Sequence, residues 1–175
     1  MKTTIRISFL TLLMIAGFFV SCEEEIIDPT GIIGDWQVDN LAADRFKLSG
    51  LIGGLSISTD ASLSNQEVNL QYSFRADSTY STTGGFSATL NFVFQGDTLS
   101  QDIQENDLQS SGTWSLAGNL LTLVSAIDSS DIRLLEVSDQ MENTMNLSTE
   151  YEQTFSLTEG EFTVKGDLVE QCERF

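Results

Sequence analysis

The side chains that could do chemistry in this chain are two cysteines, Cys22 and Cys172, and 26 carboxylates, because the sequence contains no histidine. Without histidine, neither a Ser-His-Asp nor a Cys-His set can form, and the commonest metal ligand is missing. Paired carboxylates can catalyse glycoside hydrolysis, but no pair stands out among acidic residues spread over turns and polar faces. The acidic turn at 128–131 has too few ligands for a calcium loop. We therefore predict a protein that is not an enzyme and that holds no metal or cofactor.

Cys22 stands at the end of a segment with the layout of an export signal. A short basic start precedes the uncharged run from Ile7 to Val20, which is too short to cross a bilayer as a helix. Ser21 and Cys22 then resemble a bacterial lipoprotein box, and Glu23 to Glu25 resembles the acidic export tag of Bacteroidetes surface lipoproteins. The resemblance implies cleavage before Cys22, acylation of its sulfur, and anchoring in the outer membrane with the domain facing outward. The alternative is a plain secreted protein with a chance cysteine at this position.

These features divide the chain into a signal peptide at 1–21, an acidic tether at 22–31 and one domain at 32–175. A domain of this size can fold around one core without disulfides. If Cys22 is acylated, Cys172 has no partner, and a buried apolar filler is the favoured interpretation over a loose thiol. The net charge of −18 would repel nucleic acid, so we predict no such partner and attribute the charge to solubility.

The alternation of apolar and polar residues predicts an all-β domain of about eight to ten strands. The stretches 67–75 and 86–94 each have one apolar face, and no helical period runs through the domain. Successive hairpins favour an antiparallel up-and-down barrel, whose closure removes exposed strand edges. The stretch 41–66 gives no clear prediction because glycines interrupt its apolar residues. We predict a surface loop at 102–111 and a less ordered tail after Leu168.

Three segments resemble bacterial lipocalin-like domains. Gly34-Asp35-Trp36 resembles the Gly-x-Trp of a first lipocalin strand, the stretch 74–80 resembles a phenylalanine–aspartate–turn–tyrosine hairpin, and 111–123 resembles the most distinctive hairpin of these domains. The resemblance implies a barrel that holds a small apolar or amphipathic ligand inside. It also favours structural roles for Gly34, Trp36 and Trp114. The predicted ligand contacts lie on the apolar faces of two strands that we expect to be neighbours: Tyr72, Phe74, Leu90 and Phe92.

A second interpretation is a non-enzymatic surface module that binds protein or glycan through its loops. Small barrels can be filled by side chains alone, and the bulky aromatic residues of this chain favour that outcome if all point inward. A cavity below about 300 Å³, the lower end for ligand pockets, would decide for this second interpretation. Asp77-Ser78-Thr79 and Asp97-Thr98-Leu99 also resemble the short O-glycosylation pattern of Bacteroidetes, which makes Ser78 and Thr98 candidate modification sites in turns.

Overall fold

The computed structural model describes residues 27–52, 55–94, 96–106, 108–157 and 160–175. The predicted signal peptide and Cys22 lie outside the described residues. One short helix, α1 (Pro29–Ile32), precedes the strands. The strands are β1 (Gly34–Ile52), β2 (Leu55–Val68), β3 (Gln71–Phe74), β4 (Thr79–Thr83), β5 (Phe86–Phe94), β6 (Asp97–Glu105), β7 (Ser110–Ala117), β8 (Leu120–Ser125), β9 (Ile132–Ser138), β10 (Thr144–Leu157) and β11 (Gly160–Arg174). Within the described ranges, no helix has the length and apolar character needed to cross a membrane.

Eight of the strands form a closed antiparallel barrel. Their order is β1–β3–β4–β7–β8–β9–β10–β11, and β11 pairs with β1 to close the ring. The prediction of an all-β antiparallel barrel is therefore confirmed. Closure pairs Trp36, near the start of the domain, with Arg174 near its end. The prediction of a less ordered tail after Leu168 is wrong, because this segment is part of β11 and pairs with β1 to close the barrel.

The remaining three strands, β2, β5 and β6, lie outside the barrel. They pair in the order β1–β2–β5–β6. The second halves of β1 and β10 and the first half of β11 extend beyond the barrel and join them. Together these segments form a curled sheet that we call the second lobe. The rings of Phe92 on β5, Phe155 on β10 and Phe162 on β11 lie 6.2–6.4 Å apart, so the sheet curls back over itself. The stretch 41–66 thus contributes the β1–β2 pair. The loop predicted at 102–111 is shorter than expected, since β6 continues to Glu105 and β7 begins at Ser110.

The barrel and the second lobe separate where β2 leaves β1. Strand β1 pairs with β2 only from Lys47 onward and with β3 only up to Gln37. In the gap, the side-chain amide of Gln66 donates to the Leu41 carbonyl at 2.6 Å and accepts from the Leu41 N–H at 2.8 Å. One side chain therefore replaces two hydrogen bonds of strand pairing and satisfies the backbone of a buried residue.

This separation corrects the expectation that the strands of Tyr72 and Leu90 are neighbours. Strand β3 pairs with β1 and β4, whereas β5 pairs with β2 and β6. The two apolar faces are nevertheless parts of one continuous buried core, which extends from the barrel into the second lobe. The side chain of Phe94, which was expected on the same face as Leu90, lies outside the described side chains.

A candidate ligand site at the far end of the barrel

The two ends of the barrel differ in structure. At the end where the described chain begins, Asp28 and Gln140 exchange two hydrogen bonds of 2.7 and 2.9 Å, and the N–H of Phe175 donates to the Asp35 carbonyl at 3.2 Å. We call this the tether end, although Ile27 is already buried, at 5% exposure, so the chain packs onto the barrel from there. Leu108 and Gln109, just before β7, and the loop at 126–131 lie at the opposite end, which we call the far end.

The two tryptophans lie towards the tether end. Trp36 is fully buried, donates to the Ile32 carbonyl at 2.8 Å, and is covered by the Arg174 guanidinium 4.6 Å from the centre of its ring. Trp114 meets the ring of Phe74 edge-on, with centroids 5.9 Å apart. Gly34 has φ +152°, and a Cβ there would lie 3.3 Å from the Arg174 side chain, so a larger residue would disturb the group that covers Trp36.

A buried polar cluster lies inside the barrel, nearer the far end. Glu170 on β11 is completely buried, and each of its carboxylate oxygens accepts one hydrogen bond. The Tyr72 hydroxyl donates to Oε2 at 2.6 Å, and the Arg133 guanidinium donates to Oε1 at 2.6 Å. The same guanidinium lies 5.8 Å from the centre of the Tyr72 ring, within cation–π range. The carboxylate is thus compensated by one cation and one hydroxyl, as a buried charge requires.

The electrostatics of the cluster favour the protonated, positively charged form of Arg133 and the neutral form of the Tyr72 phenol. Burial raises the pKa of Tyr72 well above its usual value, and the negative charge of Glu170 raises it further. Burial alone would lower the pKa of Arg133, but the oxygens of Tyr72 and Glu170 outweigh this and raise it above the ordinary value. Cys172, buried nearby with its thiol 3.6 Å from the Glu170 carbonyl, also has a raised pKa, caused by burial and then by Glu170. It is therefore held as an unreactive thiol.

A pocket of about 170 Å³ opens beside this cluster. Its wall is formed by side chains of β4, β7, β8 and β9 and of the adjoining loops: Tyr80, Thr82, Leu108, Ser110, Leu123, Asp131 and Arg133. The hydroxyls of Tyr80 and Ser110 lie 2.9 Å apart and bond to each other, while the Arg133 side chain is 33% exposed and reaches from the buried cluster into the pocket. The pocket therefore offers hydroxyls and a fixed guanidinium next to two leucine side chains.

The charges around the pocket disfavour an anion. Among the described residues that line the pocket, the one cation, Arg133, is already paired with Glu170, and a second carboxylate, Asp131, lines the same wall. The strongly acidic chain adds to this negative field. A neutral polar molecule, by contrast, can accept from the guanidinium and donate to the carboxylate without placing an uncompensated charge in the pocket.

The four predicted ligand residues lie in two different parts of the continuous core, two in the barrel and two in the second lobe. Tyr72 and Phe74 stack in the barrel interior with ring centroids 5.8 Å apart, and neither is exposed. Leu90 and Phe92 are equally buried in the second lobe, where Phe92 contacts Phe155 and Phe162. The structure therefore does not bring the four residues to one site, and their contact with a ligand stays a prediction.

Sequence reasoning missed Arg133 and Glu170. Glu170 continues the alternation of Val164, Gly166 and Leu168 along β11, so extending that pattern would have put it inside the barrel. Arg133 was hidden because β9 has apolar residues on both faces. Ile132 and Leu134 are 53% and 52% exposed, whereas Leu135 and Val137 are buried, so the apolar residues alone do not indicate which face of β9 is inside.

Comparison with protein-family profiles, curated proteins and solved structures finds no match for this chain. In the described part of the chain, no three cysteine, aspartate or glutamate side chains come together as a metal-binding group. The interpretation of the pocket therefore depends on its own geometry.

Proposed function

We propose that this chain is a lipid-anchored, non-enzymatic protein of the outer-membrane surface that binds a sugar unit of a glycan in the far-end pocket. The observation that carries the proposal is the size and lining of that pocket. Its volume of about 170 Å³ is below the roughly 300 Å³ at which drug-sized ligand pockets begin. The barrel beneath it contains fully buried aromatic side chains, Tyr72 and Phe74, where an acyl chain would have to lie.

The lining suits a neutral polyhydroxylated molecule. Arg133 and Asp131 supply donors and an acceptor, Thr82 and Ser110 supply hydroxyls, and Leu123 supplies an apolar surface for the ring carbons. The Arg133 guanidinium is held from behind by buried Glu170, so its donors are already oriented before a ligand arrives. Such preorganisation reduces the entropy that binding would otherwise cost.

The proposed anchor is supported by the layout of residues 1–25 and by the position of the pocket. The pocket opens at the end of the barrel opposite the first described residues, so a chain held at Cys22 would present it away from the membrane. We expect Cys22→Ala to remove the lipid and release the protein from the membrane fraction. Palmitate labelling that persists in this variant, or membrane binding that survives a high-salt wash, would contradict the anchor.

Sugar binding can be tested by titrating neutral monosaccharides and short glycans into isotopically labelled protein and following backbone amide shifts. We expect saturable binding of at least one neutral sugar, with shifts concentrated at Ser110, Asp131 and Arg133. Thr82→Val removes one hydroxyl from the wall and should weaken this binding about two- to tenfold. Thr122→Val is the matched control, because it makes the same change on the outer face of β8.

Three results would contradict the proposal: no shift with any neutral sugar, equal effects of the two threonine substitutions, or tight binding of a fatty acid at a site inside the barrel. The last result would restore the sequence-based expectation of an apolar ligand.

A further inference from the structure

Two large apolar side chains project into solvent at the tether end. Met141 and Phe175 are each 68% exposed. Met141 follows Gln140, which is bonded directly to Asp28, and Phe175 is bonded through its backbone to Asp35. Both side chains therefore lie beside the point where the described chain begins. Exposed residues of this kind are ordinary when single, but two beside the same chain entry form a small apolar surface that we call the tether-end patch.

The length of chain before the barrel limits how far this patch can be from Cys22. Because Ile27 is already buried against the barrel, only the segment up to it can act as a spacer. A fully extended chain from Cys22 to Ile27 spans at most roughly 18 Å. The headgroup region on each side of a bilayer is about 5–8 Å thick. A barrel anchored through Cys22 is thus kept close to the lipid surface, with its tether end nearest.

We propose that the tether-end patch rests on the bilayer, with Met141 and Phe175 inserted among the lipid headgroups. This inference rests on the lipid anchor of the proposed function but is independent of sugar binding. The surface it fits is one of zwitterionic lipid, because exposed Asp28 and Glu142 adjoin the patch and would be repelled by anionic headgroups. The contact fixes the orientation of the barrel, so that the far-end pocket faces away from the membrane.

The full lipidated protein can be tested in phosphatidylcholine vesicles that contain nitroxide-labelled lipid. Single substitutions Met141→Cys and Phe175→Cys introduce a site for a fluorescent label, and Ile127→Cys at the far end is the matched control, since Ile127 is 92% exposed. Cys172 is buried and does not compete for the label. We expect the emission of labels at 141 and 175 to shift to the blue and to be strongly quenched by the nitroxide lipid. The label at 127 should show neither effect. When half of the lipid is phosphatidylglycerol, the quenching at 141 and 175 should be weaker.

The outcomes separate this inference from the anchor itself. If the protein does not float with the vesicles, the anchor fails and the inference fails with it. If it floats while the three labels are quenched equally, the anchor stands and the membrane contact is overturned. The same conclusion follows if the labels at 141 and 175 shift to the blue without quenching by lipid, because a second copy of this chain would then cover the patch.

Discussion

Replacing Arg133 with methionine tests the buried cluster directly. The substitution keeps most of the side-chain volume but leaves the carboxylate of Glu170, which is completely buried, without its cation. Removing one partner of a buried ion pair typically costs 3–5 kcal/mol. Because the Arg133 side chain is itself 33% exposed, part of the interaction is screened by water, and we expect a loss of about 2–4 kcal/mol. That is a large fraction of the roughly 5–15 kcal/mol by which domains are stable.

Glu170→Gln provides the decisive comparison. In the native chain it removes the partner of Arg133, but the amide oxygen can still accept from Tyr72 and the guanidinium remains partly solvated. We therefore expect a smaller loss, about 1–2 kcal/mol. In an Arg133→Met background the same change removes an uncompensated buried charge, so it should raise the free energy of unfolding. The sign of the Glu170→Gln effect is thus expected to reverse between the two backgrounds.

Urea unfolding followed by tryptophan fluorescence measures these free energies, since Trp36 and Trp114 are both buried and report on loss of the barrel. The dependence of the free energy on urea should stay constant across the four proteins, as two-state unfolding requires. Lys165→Met is the control for loss of an ion pair, because Lys165 pairs with exposed Glu150 and Glu152 and should matter little. Equal destabilisation by Glu170→Gln in both backgrounds would refute the coupling argued for the cluster.

Two further predictions concern the second lobe and alkaline pH. Leu90→Asp places a charge in the core of the second lobe and should lower the free energy of unfolding by several kcal/mol. Val93→Asp lies on the same strand, but the Val93 side chain is 56% exposed, so this change should have little effect on the urea midpoint. Similar midpoints for the two variants would mean that the strand faces are misassigned. Burial raises the pKa of both Tyr72 and Cys172, so these two groups ionise at lower pH in the unfolded chain than in the folded one. The free energy of unfolding should therefore be unchanged at neutral pH. It should fall as the pH rises past the ordinary pKa values, which are 10.0 for tyrosine and 9.0 for cysteine. The fall should approach about 1.4 kcal/mol per pH unit for each group, and Tyr72→Phe should make it shallower; an identical pH profile in that variant would contradict the assignment.

The barrel could be predicted from sequence because its hairpins are local. Strand, turn and strand follow one another at 71–83 and 110–125, and alternation with turn residues is enough to define such pairs. The second lobe could not be predicted in the same way. Whether β2 stays on β1 or leaves it to pair with β5 depends on contacts between residues distant in sequence, such as Ala61 with Phe92. The amide of Gln66, which allows the separation, looks like any polar residue on a strand.

The candidate site was accessible to sequence reasoning only in part. Tyr72 was recognised as a polar side chain on a buried face, and the structure gives its hydroxyl a partner in Glu170. That partner belongs to a strand nearly a hundred residues later, and no local pattern connects the two positions. Arg133 posed a different difficulty, because a charged residue between apolar ones is normally assigned to the solvent side. Only the closed barrel shows that its guanidinium reaches the buried carboxylate.

The pairing of β1 with β11 also has a consequence for the time course of folding. The first strand of the domain finds its second barrel partner in the last strand of the chain, so the ring cannot close until synthesis of the whole chain is complete. Until then one edge of β1 stays open, as does the far edge of the growing sheet, and both can pair with other chains. Local hairpins such as β7–β8 can form early, but closure must bridge the largest sequence separation in the domain and is expected to be the slow step. A chain that ends before Gly160 lacks all of β11, and it would therefore be a sheet with two free edges rather than a slightly shortened barrel.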